Sequence, residues 1–468
     1  MTATITPHKF SGTVEIPASK SHTIRQLLIA SLADGESIIT NPLDSLDTRS
    51  CIEACKVFGA QIIEVYDNDK KLVSIRIIGN NNFKYLSNQQ FSCCSTEKPT
   101  IKTSCNSVSS VVNSSKIDVG NSGTTLYLAL AIAGLQSQEI VFTGDESIQK
   151  RSAAPLLNAL AGLGVQVQSN NGCAPITIKG PYTGGKVSLP CPTSQYLSAL
   201  LIASPLAHAG TVTEINVPLL NEKPYIEMTL SYLDKYLVSG THKENPKYIM
   251  KTQKGEYSFE IPGGSEWKSF SSDVPGDFSS AAFPAAAAAI TGGPVTLSGL
   301  DFKDTQGDKY FFEMLKLMGC DVQWDENCSN NTPSVTISRK NPLCGGTFDL
   351  NETPDLLPAA AVVAAYAKGD TALVNVAHAR IKETDRITVI TQELAKLGVS
   401  CTEKPDGLII HGKGSLFPPE NPVIDGHNDH RIVMAFAVSA LGSPVPIKIT
   451  TSECADVTYP GFFSILGC

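Results

Sequence analysis

The stretch SKSHTIRQLLIASLADG (Ser19 to Gly35) sets Lys20, Ser21 and Arg25 in the first turns of a helix whose remainder is apolar. A helix start carries unpaired N–H groups and roughly half a positive charge, so cations there are disfavoured unless an anion joins them. The pattern recurs. Arg431 follows NDH at another helix start, and Thr193, Ser194 and Gln195 supply neutral donors at a third. Gly123 in GNSGTT lets backbone amides come close to a phosphate. Arg151 in IQKRSAAP and Lys382 and Arg386 in RIKETDR add cations from loops. Arginine grips phosphate or carboxylate in a bidentate fork, so several of them imply a ligand with more than one anionic group. Two carboxylates stand among these cations, Asp355 in NETPDLLPAAA and Glu383 in RIKETDR. Acids so placed stay ionised and can take or give protons on a bound substrate. Each feature also has a plainer reading: Ser, Thr and Asp are ordinary N-caps, GNSGTT can be a simple turn, and KETDR a solvated face. Asp277 in PGDFSSA reads as mainly structural.

The elements that must position these groups repeat six times. A polar or small-residue turn, an Ala/Leu-rich helix, a glycine and a β-like run recur from Ser21, Gly123, Ser194, Asp277, Asp355 and Asp429 at gaps of 71 to 102 residues. The longest gap holds a Ser/Asn/Thr-rich insertion, Ser87 to Ser115, expected as a mobile loop. In phase with these, amphipathic helices end at VFG, GLG, LVSG, LMG, KLG and ILG, where glycine suits a left-handed cap. The all-apolar helices must be buried and the amphipathic ones can cover an outer face. Six α/β units divide naturally into two globes of three, with a hinge expected in the polar stretch Gly240 to Gly264. Buried helices pointing at one cleft would form an anion trap before any side chain is added.

Composition narrows the partners. With 18% charged residues the chain reads as an ordinary globular protein, and its net charge of −8 argues against nucleic acid and against a basic membrane surface. The apolar runs are too short to span a bilayer, no secretory signal is apparent, and a cytosolic protein is expected. None of the thirteen cysteines forms a CxxC pair or a zinc spacing, so reduced thiols are expected; Cys93 and Cys94 fall in a polar, loop-like segment.

The motifs PASKSHTIR, LDSLDTR, GNSGTT, TGDESIQKR, TSQYLSALL, EKPYIEMTL, GDFSSAAF, TPDLLPAAA, RIKETDR, NDHR and TYPGFF occur in order from residue 17 to the C-terminus. Together they resemble the EPSP synthase family, the 3-phosphoshikimate 1-carboxyvinyltransferases; the Ser87–Ser115 segment is not covered. The resemblance implies a two-globe α/β enolpyruvyl-transferase fold of six units, closing like a clamp. Its N-terminal globe would span 20–238, and its C-terminal globe 1–19 plus 239–468. It implies transfer of the enolpyruvyl group of phosphoenolpyruvate to the 5-hydroxyl of shikimate 3-phosphate, with phosphate released, in chorismate and aromatic amino-acid biosynthesis. Neither a metal nor an organic cofactor is implied; the partners are these two small molecules, and a monomer is expected. In the implied roles Asp355 takes the hydroxyl proton, while Glu383 and Lys20 serve proton transfer with phosphoenolpyruvate. Lys20, Gly123, Arg151, Gln195, Arg386 and Arg431 match the phosphoenolpyruvate site. Lys20, Ser21, Arg25, Thr193, Ser194, Gln195, Tyr225, Asp355 and Lys382 match the shikimate 3-phosphate site.

Three positions depart from the family pattern. Tyr127 stands where an arginine is common, Val457 where a lysine is frequent, and Glu222 where serine is usual. Two charge-assisted bonds of about 1.5–3 kcal/mol each are thereby lost near the phosphate, which predicts weaker binding of phosphoenolpyruvate and of glyphosate. Two other readings stay open at this point. One is a UDP-N-acetylglucosamine enolpyruvyl transferase, though no equivalent of its catalytic loop cysteine is seen. The other is a non-catalytic anion-binding relative.

Overall fold

The computed structural model describes residues 1–80, 115–239, 246–325 and 332–467. Most of the Ser/Asn/Thr-rich insertion, Cys93 and Cys94 included, lies outside them.

One sheet topology recurs. Ser115–Asp118 runs parallel to Ile140–Thr143, which is antiparallel to Cys173–Lys179, itself antiparallel to Gln166–Asn170. The same order joins Gly185–Ser188, Val212–Val217, Glu256–Pro262 and Ile249–Gln253. It joins Thr347–Asp349, Lys368–Val374, Gly407–Lys413 and Ser400–Lys404 as well. A three-stranded version closes the set, with Val423–Ile424 parallel to Ile447–Thr450 and Thr2–Ile5 antiparallel to it.

In these four units the leading strand is followed directly by a buried helix: Gly123–Ala133, Gln195–Ala203, Leu357–Ala365 and His430–Leu441. The other two units exchange their leading strands. Gly12–Glu15 precedes the Lys20–Leu32 helix yet pairs with Val295–Ser298, while Ser271–Asp273 precedes the Phe278–Thr291 helix yet pairs with Glu36–Thr40. The chain thus passes twice between two apolar cores. One core gathers residues from Ala18 to Val274, the other Ile5 to Ile16 with Phe278 to Leu466. The two crossings are bonded to each other, Ser19 N–H to Pro275 O at 2.8 Å and Asp277 N–H to Pro17 O at 2.9 Å. Gly276 sits where a Cβ would fall 2.4 Å from Gly299 O, so no larger residue fits this crossing.

The expected hinge at 240–264 and boundary at 239 are therefore displaced. Residues 249–262 form a hairpin on the sheet of Gly185–Ser188 and Val212–Val217, with Phe259 and Ile261 buried in the first core. The stretch reads as a linker because its outer strand, Ile249–Gln253, is exposed along its whole length. The glycine stops behave as the helix-end rule requires. Gly59, Gly164, Gly319 and Gly398 all adopt φ between +76° and +104°. Gly240 of LVSG lies outside the described residues. Among the described residues no helix is long and apolar enough to cross a membrane.

Candidate active site

The starts of all six buried helices meet at one cavity of about 990 Å³. Lys20, Ser21, Gly123, Ser194, Gln195, Asp277, Asp355 and Arg431 bring the six helix ends to its wall, and the RIKETDR loop adds Lys382, Glu383 and Arg386. Arg25, Arg151, Thr193 and Tyr225 complete the lining, so every candidate residue named from the sequence borders the same space.

The cations are not loose. Lys20 Nζ pairs with Asp47 Oδ2 at 3.0 Å, Arg151 Nη2 with Glu383 Oε1 at 3.3 Å, and Arg431 Nη2 with Asp355 Oδ2 at 3.0 Å. Arg386, 1% exposed, is the centre of the network. Its Nη1 reaches Asp355 Oδ1 at 2.9 Å, its Nε reaches Asp429 Oδ2 at 2.8 Å, and its Nη2 bonds Glu383. Asp429 also caps its helix, accepting from Arg431 N–H at 2.9 Å. Arg25 is held by neutral groups instead, donating to Thr229, Ser198 and the Ser21 and Tyr225 carbonyls. Burial draws its guanidinium down to about 10, the opposite of what a carboxylate partner would do.

These pairings fix the protonation of the acids. Burial alone would raise the Asp355 carboxyl, but Arg431, Lys382 and Arg386 together hold it far below the usual range. Glu383 is likewise pushed up by burial and pulled well below by Arg151 and Arg386. Both are carboxylates at neutral pH. Asp308 behaves oppositely: burial and the nearby Asp355 charge raise it to about 7, against the pull of Arg431. His430 is held neutral, burial lowering it to about 3 despite Glu383 and Asp429.

Gly123 is small for a local reason. A Cβ there would stand 3.0 Å from Arg151 Nη1 and 3.6 Å from the Tyr127 ring, so the guanidinium would have to give by a few tenths of an ångström. Tyr127 lines the cavity and packs edge-on against Tyr196 with centroids 5.1 Å apart. Val457 is half-buried beside Thr458, which lines the cavity.

Sequence reasoning missed Asp47, Asp308 and His430, and gave Asp429 no role beyond its helix start. Asp47 sits in LDSLDTR and His430 in NDHR, so two of the three could have been found inside motifs already noted. Asp308 carries no such signal. It is recognised only because the fold buries it against Ser279 and close to Asp355.

Among the described residues no cluster of His, Cys, Asp and Glu has the arrangement to hold a metal ion. The donor set instead suits organic polyanions, with guanidinium, ammonium, hydroxyl and helix-start N–H groups facing one space.

Comparison with known proteins agrees with this geometry. The family described as EPSP synthase (3-phosphoshikimate 1-carboxyvinyltransferase) matches residues 5–90 and 94–466. A 3-phosphoshikimate 1-carboxyvinyltransferase from Ruminiclostridium cellulolyticum is 41% identical over 98% of this chain and 96% of its own. Its counterpart from Methanocella arvoryzae is 38% identical over 100% of this chain and 98% of its own. The solved EPSP synthase of Acinetobacter baumannii superposes with a TM-score of 0.72 at 27% identity, covering 100% of this chain and 97% of that one. The enolpyruvyl transferase NikO from Streptomyces tendae shares the fold, with a TM-score of 0.69 at 15% identity over 100% of this chain and 96% of that one. With this match along nearly the whole chain, two-fifths identity to such relatives, and six helix starts walling one cationic cavity, the chain belongs to the EPSP synthase family.

Proposed function

We propose that this chain transfers the enolpyruvyl group of phosphoenolpyruvate to the 5-hydroxyl of shikimate 3-phosphate and releases phosphate, as the relatives' names state for those proteins. The observation that carries the reading is the convergence of Lys20, Arg151, Lys382, Arg386 and Arg431 with Asp355 and Glu383 on one cavity between two cores.

The reaction adds and then eliminates. The acceptor hydroxyl attacks C2 of phosphoenolpyruvate while C3 takes a proton, giving a tetrahedral ketal that still carries the phosphate. Loss of a proton from the new methyl group and departure of phosphate leave the enol ether. Asp355 is the base for the hydroxyl, and Lys20 with Glu383 moves the proton on and off C3. A carboxylate pinned by three cations is a weak base. Substrate carboxylate and phosphate groups compete for Arg386 and Arg431, and as they draw those cations away the basicity of Asp355 recovers. Substrate binding thus switches on its own proton acceptor.

In this reading the cleft closes as a clamp between one globe of 20–274 and another of 1–16 plus 278–467, a division supported by the two separate apolar cores. The chain is read as working as a monomer, one copy bringing every candidate residue to one cavity. It works in the cytoplasm, where unpaired thiols such as Cys51 and Cys55 stay reduced.

A coupled phosphate-release assay tests the activity. Release that needs both shikimate 3-phosphate and phosphoenolpyruvate supports the reading. Turnover with UDP-N-acetylglucosamine and none with shikimate 3-phosphate would move the chain to the other enolpyruvyl branch, and no release with either acceptor would leave only an anion-binding relative.

Tyr127→Arg is expected to lower the KM for phosphoenolpyruvate and the inhibitory concentration of glyphosate by about tenfold, one charge-assisted bond having been restored. Steady-state kinetics with varied phosphoenolpyruvate read this directly. Unchanged values for both would show that the missing arginine does not weaken the phosphoenolpyruvate end.

A further inference from the structure

Glu222 lies between the Val212–Val217 strand and the Lys223–Tyr236 helix, with φ of +57° and 2% exposure. Its Oε2 accepts from Thr193 Oγ1 at 2.9 Å, from Ser194 Oγ at 2.9 Å and from Ser194 N–H at 3.0 Å. Its Oε1 is ion-paired with Lys382, which comes from the other core. Two hydroxyls, a backbone N–H at a helix start and an ammonium form a cradle for a tetrahedral or planar anion. All four donors border the cavity. In this protein the cradle is filled by the chain's own carboxylate.

Resting on the function proposed above, we propose that Glu222 is a built-in competitor for the acceptor's phosphate. Acceptor binding is then an exchange, in which the phosphate takes Thr193, Ser194 and Lys382 and the Glu222 side chain turns into the cavity. Two anions cannot share these donors, because each oxygen of Glu222 now faces the groups a phosphate would use. Glu222 therefore sets how strongly the 3-phosphate is held and makes the chain selective against weakly charged acceptors, which cannot displace it. The Lys382 contact also ties the two cores together, so the exchange loosens one cross-cleft link as the substrate supplies another.

The test compares Glu222→Ser and the volume-preserving Glu222→Gln with the wild-type chain. Both variants are expected to lower the KM for shikimate 3-phosphate and the inhibition constant of inorganic phosphate by about tenfold, the Ser change most, while the KM for phosphoenolpyruvate stays within about twofold. Shikimate 3-phosphate that binds neither variant more tightly than wild type would overturn the proposal. A crystal structure of the wild-type chain with shikimate 3-phosphate gives a readout that needs no variant. Glu222 displaced from Ser194 N–H is expected, and Glu222 still bonded to it beside a bound phosphate would overturn the exchange. If wild-type chain releases no phosphate from the two substrates, the proposed function fails by itself. The exchange is then judged by inorganic phosphate alone, whose affinity must still rise in both variants.

Discussion

Asp355→Asn is expected to lower kcat by roughly 10²- to 10⁴-fold, the range that a positioned general base contributes. The substitution keeps the shape and one acceptor oxygen for Arg386 and Arg431, so the wall of the cavity should survive. What it removes is the charge that takes the hydroxyl proton. It also removes one anion that competes with substrate for Arg386 and Arg431, 2.9 and 3.0 Å away. Substrate affinity should therefore hold or improve as turnover collapses. That split separates a catalytic role from a structural one: a residue that only shaped the site would raise KM along with the loss of kcat. Asp355→Ala should abolish phosphate release altogether, since it also opens a gap beside the two guanidiniums. Retention of more than about a tenth of wild-type kcat in the Asn variant would give the proton transfer to another group. Asp308, close behind and titrating near neutrality, is the candidate that such a result would bring forward.

How much of this could be read from the chain depends on the range of each interaction. The six apolar helices and their polar starts are local patterns, written within about twenty residues each, and the structure buries every one of them. The cavity follows from those starts, because a helix end with unpaired N–H groups must face either water or a polar partner. Strand exchange is not local. Gly12–Glu15 pairs with residues more than 280 positions away, and nothing in its composition distinguishes it from a strand that stays with the following helix. The hinge was misplaced for the same reason: exposed polar residues mark an edge strand as readily as a linker. Charge pairing was the least visible. Lys20 and Arg431 read as free anion-binding groups, yet Asp47 and Asp355 hold them. Glu222 was visible only as an unusual residue, since its partners lie 28 and 160 positions along the chain.

Arg386→Met tests whether that internal charge balance holds the C-terminal core together. The guanidinium is 1% exposed and bonds Asp355, Glu383 and Asp429, three carboxylates that burial pushes toward protonation. Removing one partner of a buried charged network typically costs about 3–5 kcal/mol, most of it the penalty of leaving the remaining charge unpaired. Here three acids lose their shared cation together. The denaturant midpoint of the variant should fall accordingly, and activity should be lost even where the chain remains folded. The sign with pH follows from the acids. Asp355 keeps Arg431 and Lys382 and Glu383 keeps Arg151, so burial goes unopposed chiefly at Asp429, and the variant should regain stability relative to wild type as pH falls and that carboxylate accepts a proton. Wild type should do the reverse for these groups, because their lowered values mean stability present above the ordinary carboxylate range and lost as pH drops through it. Adding Asp429→Asn to Arg386→Met removes the acid with no exposed surface, and part of the lost stability should return. A double variant no more stable than the single one would show that Arg386 acts through packing rather than charge. The same guanidinium that binds substrate in the proposed reaction would then be dispensable for holding Asp429 ionised.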